Sequence, residues 1–143
     1  MARLDFVPYE KRYKYPGMAP LDKEIWERFV ENNPLAFEKV AYHVPVGGGT
    51  VMDTVVNPET GGDVNKIYQR KIDVVGFNPG RITVVEVKPR ASTSAIGQVE
   101  GYASLLVRDY DVNEQVHSII ITDELLPDVE FLAKEKGVKL LVA

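Results

Sequence analysis

The sequence predicts an α/β domain, or α+β by a stricter label, in which helices flank both faces of a mixed β-sheet. Two observations predict this class. The middle of the chain carries two β-branched segments joined by turn residues, and its C-terminal third alternates between strand and helix patterns. With 143 residues and 45% hydrophobic content, the chain is long enough for one compact domain and too short for two ordinary ones.

Residues 1–20 are predicted to form an N-terminal arm, and residues 21–143 a single folded domain. The arm is polar and rich in tyrosine and proline, so we expect it to be solvated and loosely ordered. An alternative is that it contacts nucleic acid, with cations for phosphates and aromatic rings for stacking. The residues concerned are Lys11, Arg12, Lys14, Tyr9, Tyr13 and Tyr15.

The domain is predicted to begin with a helix over residues 22–33, which has apolar residues at helical spacing between two prolines. Residues 37–46 then alternate as a strand does, and a glycine-rich loop runs from Gly47 through Gly62. No helix start or lysine follows the glycines at phosphate-loop spacing. We therefore interpret the stretch as a mobile loop that faces the substrate.

Residues 67–77 and 81–88 are predicted to form an antiparallel hairpin. Both are rich in β-branched residues, and Asn78, Pro79 and Gly80 between them favour a turn.

The C-terminal part is predicted to alternate between helices and strands. Thr93 or Ser94 can cap a helix that reaches about residue 108, with an apolar stripe that packs on the sheet. A strand, a helix ended by Gly137 and a short strand follow at 116–122, 127–136 and 138–142. The predicted order is therefore αβββαβ with a C-terminal αβ pair.

Composition excludes several classes of protein. Without cysteine there is no disulfide scaffold, thiolate zinc site or cysteine nucleophile. No apolar run has signal-peptide character or approaches the roughly 20 residues of a membrane span, so we expect a soluble cytoplasmic protein without membrane contacts. A net charge of −4 argues against binding that relies on covering nucleic acid with cations. His43 and His117 have no carboxylate at ligand spacing and are interpreted as ordinary strand histidines.

Three charged residues interrupt the apolar strands of the predicted hairpin: Asp73, Glu86 and Lys88. Pairing across the turn places Asp73 opposite Val85 or Glu86. Because side chains alternate along a strand, Glu86 and Lys88 project from the same face. Two carboxylates are therefore predicted to meet near one point, with a lysine beside them.

Two carboxylates held together away from water favour a shifted pKa, an ion pair or a bound cation. Magnesium suits one or two carboxylates with several waters, and the carbonyl of Val87 could supply a further oxygen. Lys88 could orient or deprotonate a water and stabilise charge on a phosphoryl oxygen. The alternative left open is that Asp73 and Glu86 form ordinary surface ion pairs with neighbouring cations.

These residues resemble the PD-(D/E)XK nuclease superfamily, whose motif matches Asp73 and the Glu86-x-Lys88 sequence. The resemblance implies a restriction-endonuclease-like fold over roughly residues 22–122, which is most of the chain. The proline that leads the motif is absent, since Ile72 precedes Asp73.

A second motif lies in the helix after the hairpin. Gln98 and Tyr102 look like the Gln-x-x-x-Tyr motif of the RecB-type branch, a spacing that puts both residues on adjacent turns of one helix. The resemblance implies that this pair supports the active site and nearby phosphates.

The superfamily usually supplies one more acid from its first helix, and helical geometry leaves four candidates open. We favour Glu27, which lies beside Val30 at the edge of the apolar face, and then Glu24. Glu24 and Glu31 point more nearly to solvent, whereas Asp22 lies on the apolar face but at the end of the helix that frays.

The resemblance implies a Mg²⁺- or Mn²⁺-dependent deoxyribonuclease in which Asp73 and Glu86 bind metal and Lys88 assists the nucleophile. The RecB-type motif favours processing of DNA ends or single strands. A domain this small could act as a homo-oligomer or beside a partner protein. The alternative function is a non-catalytic nucleic-acid-binding or assembly module with a nuclease-like fold, and the last is a plain interaction domain.

Overall fold

The computed structural model describes residues 3–48 and 70–143, which form one mixed sheet with helices on both faces. This confirms the predicted α/β class. Most of the glycine-rich loop and residues 67–69 of the predicted hairpin lie outside the described residues. The elements are β1 (Val7–Pro8), α1 (Pro20–Asn32), β2 (Lys39–Val46), β3 (Arg70–Asn78), β4 (Arg81–Arg90), α2 (Thr93–Asp109), β5 (Gln115–Glu124), α3 (Pro127–Glu135) and β6 (Val138–Val142).

The six strands lie in chain order, β1 to β6, across the sheet. Neighbours from β1 to β4 are antiparallel, and β4, β5 and β6 are parallel. The change of direction follows from the connections: a two-residue turn joins β3 to β4, whereas α2 and α3 are the crossovers that parallel neighbours require.

The turn residues set the register of the central hairpin. Asn78 pairs with Arg81 across Pro79 and Gly80, and Gly80 has a φ of 76°. Proline followed by a residue with positive φ is the pattern of a type II turn, which favours glycine at the second position. The hairpin prediction is confirmed, and its register is carried without interruption as far as the pair Val74 and Val85.

Helix α1 covers one face of the sheet with four buried residues, Ile25, Trp26, Phe29 and Val30. It begins at Pro20, two residues before the predicted start. Proline suits the first turn of a helix because its missing N–H would have no partner there. The earlier start places the residues from 20 to 23 inside the first turn.

Helices α2 and α3 cover the other face. Val99, Tyr102 and Leu106 of α2 and Ala133 of α3 are buried against that side of the sheet. In the described part of the chain, no helix has the length and apolar character needed to cross a membrane.

The N-terminal segment packs on the domain, contrary to the expectation of a solvated arm. Val7 pairs with Val40 in the sheet, and Tyr15 is only 6% exposed. Tyr9 contacts the rings of Trp26 and Phe37 edge-on, with centroids 6.0 and 5.5 Å away. Burial of these aromatic rings offsets the entropy lost when the segment is ordered, an effect that local polarity does not reveal.

Gly76 provides a test of how closely β3 approaches the segment before β2. A Cβ at this position would lie 2.4 Å from ring carbons of the buried Phe37. We therefore expect Gly76→Ala to lower the free energy of unfolding by about 1–3 kcal/mol, measured by urea denaturation. Gly97→Ala is the control, because the added methyl would meet no atom within 4 Å and alanine favours helix. Equal stability of the two variants would contradict this packing.

Candidate active site

Asp73 and Glu86 face each other at the point where β3 and β4 separate. Val74 is paired with Val85, so the next pair along the hairpin is Asp73 with Glu86. Beyond this point the side chains replace the ladder: the Val87 N–H donates to Asp73 Oδ2 at 2.9 Å, and the Asp73 N–H donates to Glu86 Oε1 at 3.3 Å. The structure thus brings together the two carboxylates that the sequence predicted would meet.

The position of Asp73 is coupled to an irregularity in β2 and β3. Ile72 and Val74 should share one face of a regular strand, yet they pack in opposite core layers. The position that faces Asp73 in β2 is His43, which has a φ of 52°. A non-glycine residue rarely adopts this conformation. The broken alternation accompanies the turn of the Asp73 carboxylate toward β4 instead of into either core layer.

Burial dominates the electrostatics of the carboxylate pair. Burial, together with the charge of Asp73, raises the pKa of Glu86 to about 8. Burial also raises the pKa of Asp73, although the N–H of Val87 and the charge of Lys88 oppose that shift. Without a cation the pair therefore retains a proton near neutral pH, because two adjacent charges in a buried position are unfavourable.

Lys88 and Asp22 complete the charged group around the pair. The positive charge of Lys88 offsets part of the rise in the pKa values of Asp73, Glu86 and Asp22 that burial causes. The charge of Asp22 in turn raises the pKa of Asp73. The first turn of α1 therefore lies within electrostatic reach of the hairpin, and it contributes a third carboxylate.

Glu27, the favoured helix acid, is placed elsewhere. Its carboxylate is 3.9 Å from the ammonium groups of Lys11 and Lys23. Glu31 also pairs with Lys11, and Glu24 is exposed. Asp22 is the first-helix acid whose charge acts on Asp73, because the earlier start of α1 holds it within the first turn. Pro20 was the sequence signal for that start. The choice between Glu27 and Asp22 as a site residue stays a prediction.

Gln98 and Tyr102 are hydrogen bonded to each other. The Gln98 Nε2 group donates to the Tyr102 hydroxyl at 2.7 Å, and Tyr102 is 5% exposed. Their placement on adjacent helical turns is as predicted. Among the described residues, neither side chain is hydrogen bonded to Asp73 or Glu86.

The donor chemistry of the site fits a hard divalent cation. Asp73 and Glu86 supply carboxylate oxygens whose mutual repulsion a cation would relieve, and Asp22 adds a third acid nearby. Mg²⁺ is commonly held by one or two carboxylates with waters completing the shell. Within residues 3–48 and 70–143, no group of three or more His, Asp or Glu side chains is already clustered closely enough to hold a metal by itself.

The fold buries or pairs some basic and aromatic residues of the N-terminal segment and leaves others exposed. Tyr15 is buried and Lys11 pairs with Glu31. Tyr13, by contrast, is 87% exposed, with the Lys23 ammonium 5.9 Å from the centre of its ring. A shallow groove beside this ring is lined by Arg12, Tyr13, Lys14, Tyr15, Pro16, Met18 and Lys23.

A mixed sheet with helices on both faces and an Asp opposite a Glu-x-Lys strand define a domain of the restriction-endonuclease-like nuclease superfamily. The sequence profile of the endonuclease NucS C-terminal domain matches residues 64–142. The chain belongs to this NucS C-terminal domain family. The RecB-type branch stays a prediction.

One similar solved structure shares the fold. EndoMS in its apo form is 19% identical with a TM-score of 0.50, over 89% of this chain and 48% of that one. An EndoMS complex with dsDNA (17%, TM-score 0.49) and a repair endonuclease from Pyrococcus abyssi (18%, TM-score 0.49) each align with 93% of this chain, and with 48% and 49% of their own lengths. The chain thus spans about half the length of these proteins. No curated protein matches it.

Proposed function

We propose that this chain is a metal-dependent nuclease domain that hydrolyses DNA phosphodiester bonds. The opposition of Asp73 and Glu86, with Lys88 on the same strand as Glu86, is the observation that carries the proposal. Membership of a family described as an endonuclease C-terminal domain supports it.

Asp73 and Glu86 would hold Mg²⁺ or Mn²⁺, together with the carbonyl oxygen of Val87. The Val87 N–H points toward Asp73, and the N–H and C=O of one strand residue point to the same side, so this carbonyl also faces β3. The bound ion would supply Lewis acidity and a nucleophilic water near neutral pH. Asp22 is proposed as the additional acid, in place of Glu27.

Lys88 has two roles that its own charge supports. Its ammonium group lies close enough to influence all three acids, so it can hold a water beside them by hydrogen bonding. It also supplies positive charge where a phosphoryl oxygen becomes more negative in the transition state.

The proposed DNA-contacting surface is the groove beside Tyr13. Lys23, which lines this groove, follows Asp22 in α1. Arg12 and Lys14 form no ion pair among the described residues, so both remain available to phosphates. The exposed Tyr13 ring offers a stacking surface.

The RecB-type features stay predictions within this proposal. The hydrogen bond between Gln98 and Tyr102 fixes the positions of the two polar groups. From there they would support the site or contact a phosphate of the bound substrate. The preference for ends or single strands that the motif implies is tested by substrate topology.

The direct test is to incubate the protein with linear, circular and single-stranded DNA in Mg²⁺, Mn²⁺ or EDTA. Cleavage that requires metal is expected, and cutting of circular DNA would separate endonuclease from exonuclease activity. If the protein binds DNA but cuts none of these substrates with either metal, the non-catalytic binding module replaces the nuclease. If it neither binds nor cuts, both proposals are wrong.

Two first-helix variants test which acid belongs to the site. Asp22→Asn is expected to raise the Mg²⁺ concentration needed for half-maximal cleavage by at least about tenfold, as loss of a group that supports a metal site commonly does. Glu27→Gln should stay within about twofold of the unmodified protein, because exposed ion pairs contribute little. The measurement is the Mg²⁺ concentration that gives half-maximal cleavage. A larger effect of Glu27→Gln would restore the original assignment.

A further inference from the structure

A second cavity lies at the other end of the central hairpin. It occupies about 470 Å³ between the C-terminal end of α1, the β3–β4 turn, and the start of β6. Arg81 lines this cavity and is five residues from Glu86 along β4, which corresponds to roughly 17 Å at the rise of a strand. The cavity is therefore separate from the carboxylates, and none of the site residues above lines it.

The cavity has an unbalanced positive charge. Arg81, Lys134 and Lys139 line it, and no aspartate or glutamate does so among the described residues. None of the three cations forms an ion pair within residues 3–48 and 70–143, whereas exposed cations elsewhere, such as Arg28 and Arg90, do. Three unpaired cations around one cavity in a protein of net charge −4 indicate an anion-binding position.

The remaining lining of the cavity is mixed, with Thr83, His117, Ser118 and two asparagines beside apolar side chains. Buried Phe29 and Phe37 contribute aromatic carbon, and Ile119, Val138 and Leu141 contribute aliphatic carbon. This combination suits a ligand that carries a flat apolar group as well as an anion.

Two asparagines supply directed acceptors. Asn33 Nδ2 donates to the Phe29 carbonyl at 3.0 Å, and Asn78 Nδ2 donates to the Ala36 carbonyl at 2.9 Å. These bonds fix both side chains, and among the described residues no group donates to their carbonyl oxygens, which can therefore accept from a ligand N–H. A cavity of this volume that combines apolar carbon with placed polar groups resembles small-ligand sites.

We propose that this cavity binds a single nucleotide, with the phosphate on Arg81, Lys134 and Lys139 and the base over the apolar floor. A phosphate monoester carries close to two negative charges at neutral pH. It therefore balances three cations better than a carboxylate ligand, which carries one. The asparagine oxygens accept from base N–H groups. The nucleotide is either free or at the end of a DNA strand, since both present the same phosphate and base.

The test is calorimetric titration of the full chain in EDTA, so that binding does not depend on cleavage or on metal at the carboxylates. The probes are dAMP, deoxyadenosine, inorganic phosphate, and a short single-stranded DNA with or without a 5′-phosphate. We expect dAMP to bind at least about tenfold more tightly than deoxyadenosine or phosphate alone. A preference for the 5′-phosphorylated strand over free dAMP would assign the site to strand ends, and the reverse to free nucleotide.

Variants localise the binding. The double variant Arg81→Ala/Lys139→Ala is expected to lose at least about tenfold in affinity for dAMP, and its circular dichroism should match that of the unmodified protein. Lys136→Ala is the control, because this exposed lysine ends α3 without lining the cavity. The proposal is overturned if phosphate alone binds as tightly as dAMP, if the control loses as much affinity, if an acidic peptide displaces dAMP at lower concentration, or if no saturable binding occurs. An unaffected double variant would overturn it as well.

Discussion

Asp73→Asn and Lys88→Ala are each expected to reduce metal-dependent DNA cleavage by about a thousandfold or more while the fold survives. Asparagine keeps an oxygen that accepts the Val87 N–H but removes the charge that would hold a cation. Alanine at position 88 removes the positive charge from beside the acids. Both effects concern groups that act on the reacting phosphate, so the turnover rate should fall more than DNA binding.

The matched controls for these two variants carry the same chemical changes on exposed positions. Asp111→Asn and Lys136→Ala lie outside both the carboxylate site and the groove beside Tyr13, and they should cleave as the unmodified protein does. Thermal unfolding and DNA affinity are measured in parallel. Cleavage by Asp73→Asn or Lys88→Ala at the unmodified rate would eliminate the assignment of the site, whatever the controls show.

The metal-free protein is expected to lose stability as the pH rises from 5 to 9. The pKa of Glu86 in the folded chain is about 8, above its ordinary value of 4.5. An acid whose pKa is raised on folding stabilises the fold fully below its unfolded pKa, and this contribution is lost as the pH rises through the folded value. A pKa shift of this size lowers the free energy of unfolding by roughly 3–5 kcal/mol, a loss that the two coupled carboxyls share.

Glu86→Gln should remove most of this pH dependence, because glutamine cannot ionise yet can still accept the Asp73 N–H. At pH 9 the variant is expected to unfold at higher urea concentration than the unmodified protein, both in EDTA. Glu135→Gln, an exposed residue of α3, is the control and should leave the profile unchanged. A profile that is flat from pH 5 to 9, or a variant less stable at pH 9, would contradict the proposed burial of like charges.

The opposition of the two carboxylates could be predicted because it depends on local information. Turn chemistry at Pro79 and Gly80 limits the hairpin to two registers, which place Asp73 opposite Val85 or Glu86, and the structure has the second. An apolar strand also makes a charged residue conspicuous, so Asp73 and Glu86 stood out without any knowledge of the remaining fold.

The third acid could not be chosen by periodicity alone. Helical geometry placed Asp22 on the apolar face. Whether the helix holds Asp22 in place depends on where it begins, and helix ends are the least certain feature of a periodic pattern. The carboxylate of Glu27 lies 3.9 Å from the ammonium groups of Lys11 and Lys23. Lys11 is 16 residues away in the chain, so no local pattern contains that contact.

By itself the sequence determined the α/β class, the order of the elements from α1 onward and the approach of Asp73 to Glu86, because each follows from periodicity or turn chemistry over a few residues. Only the tertiary structure decided that the N-terminal segment packs on the domain, that Asp22 is the acid near the pair, and that Arg81, Lys134 and Lys139 surround one cavity. These three outcomes depend on contacts between residues distant in the chain, whose burial and charge become defined only when the layers pack together.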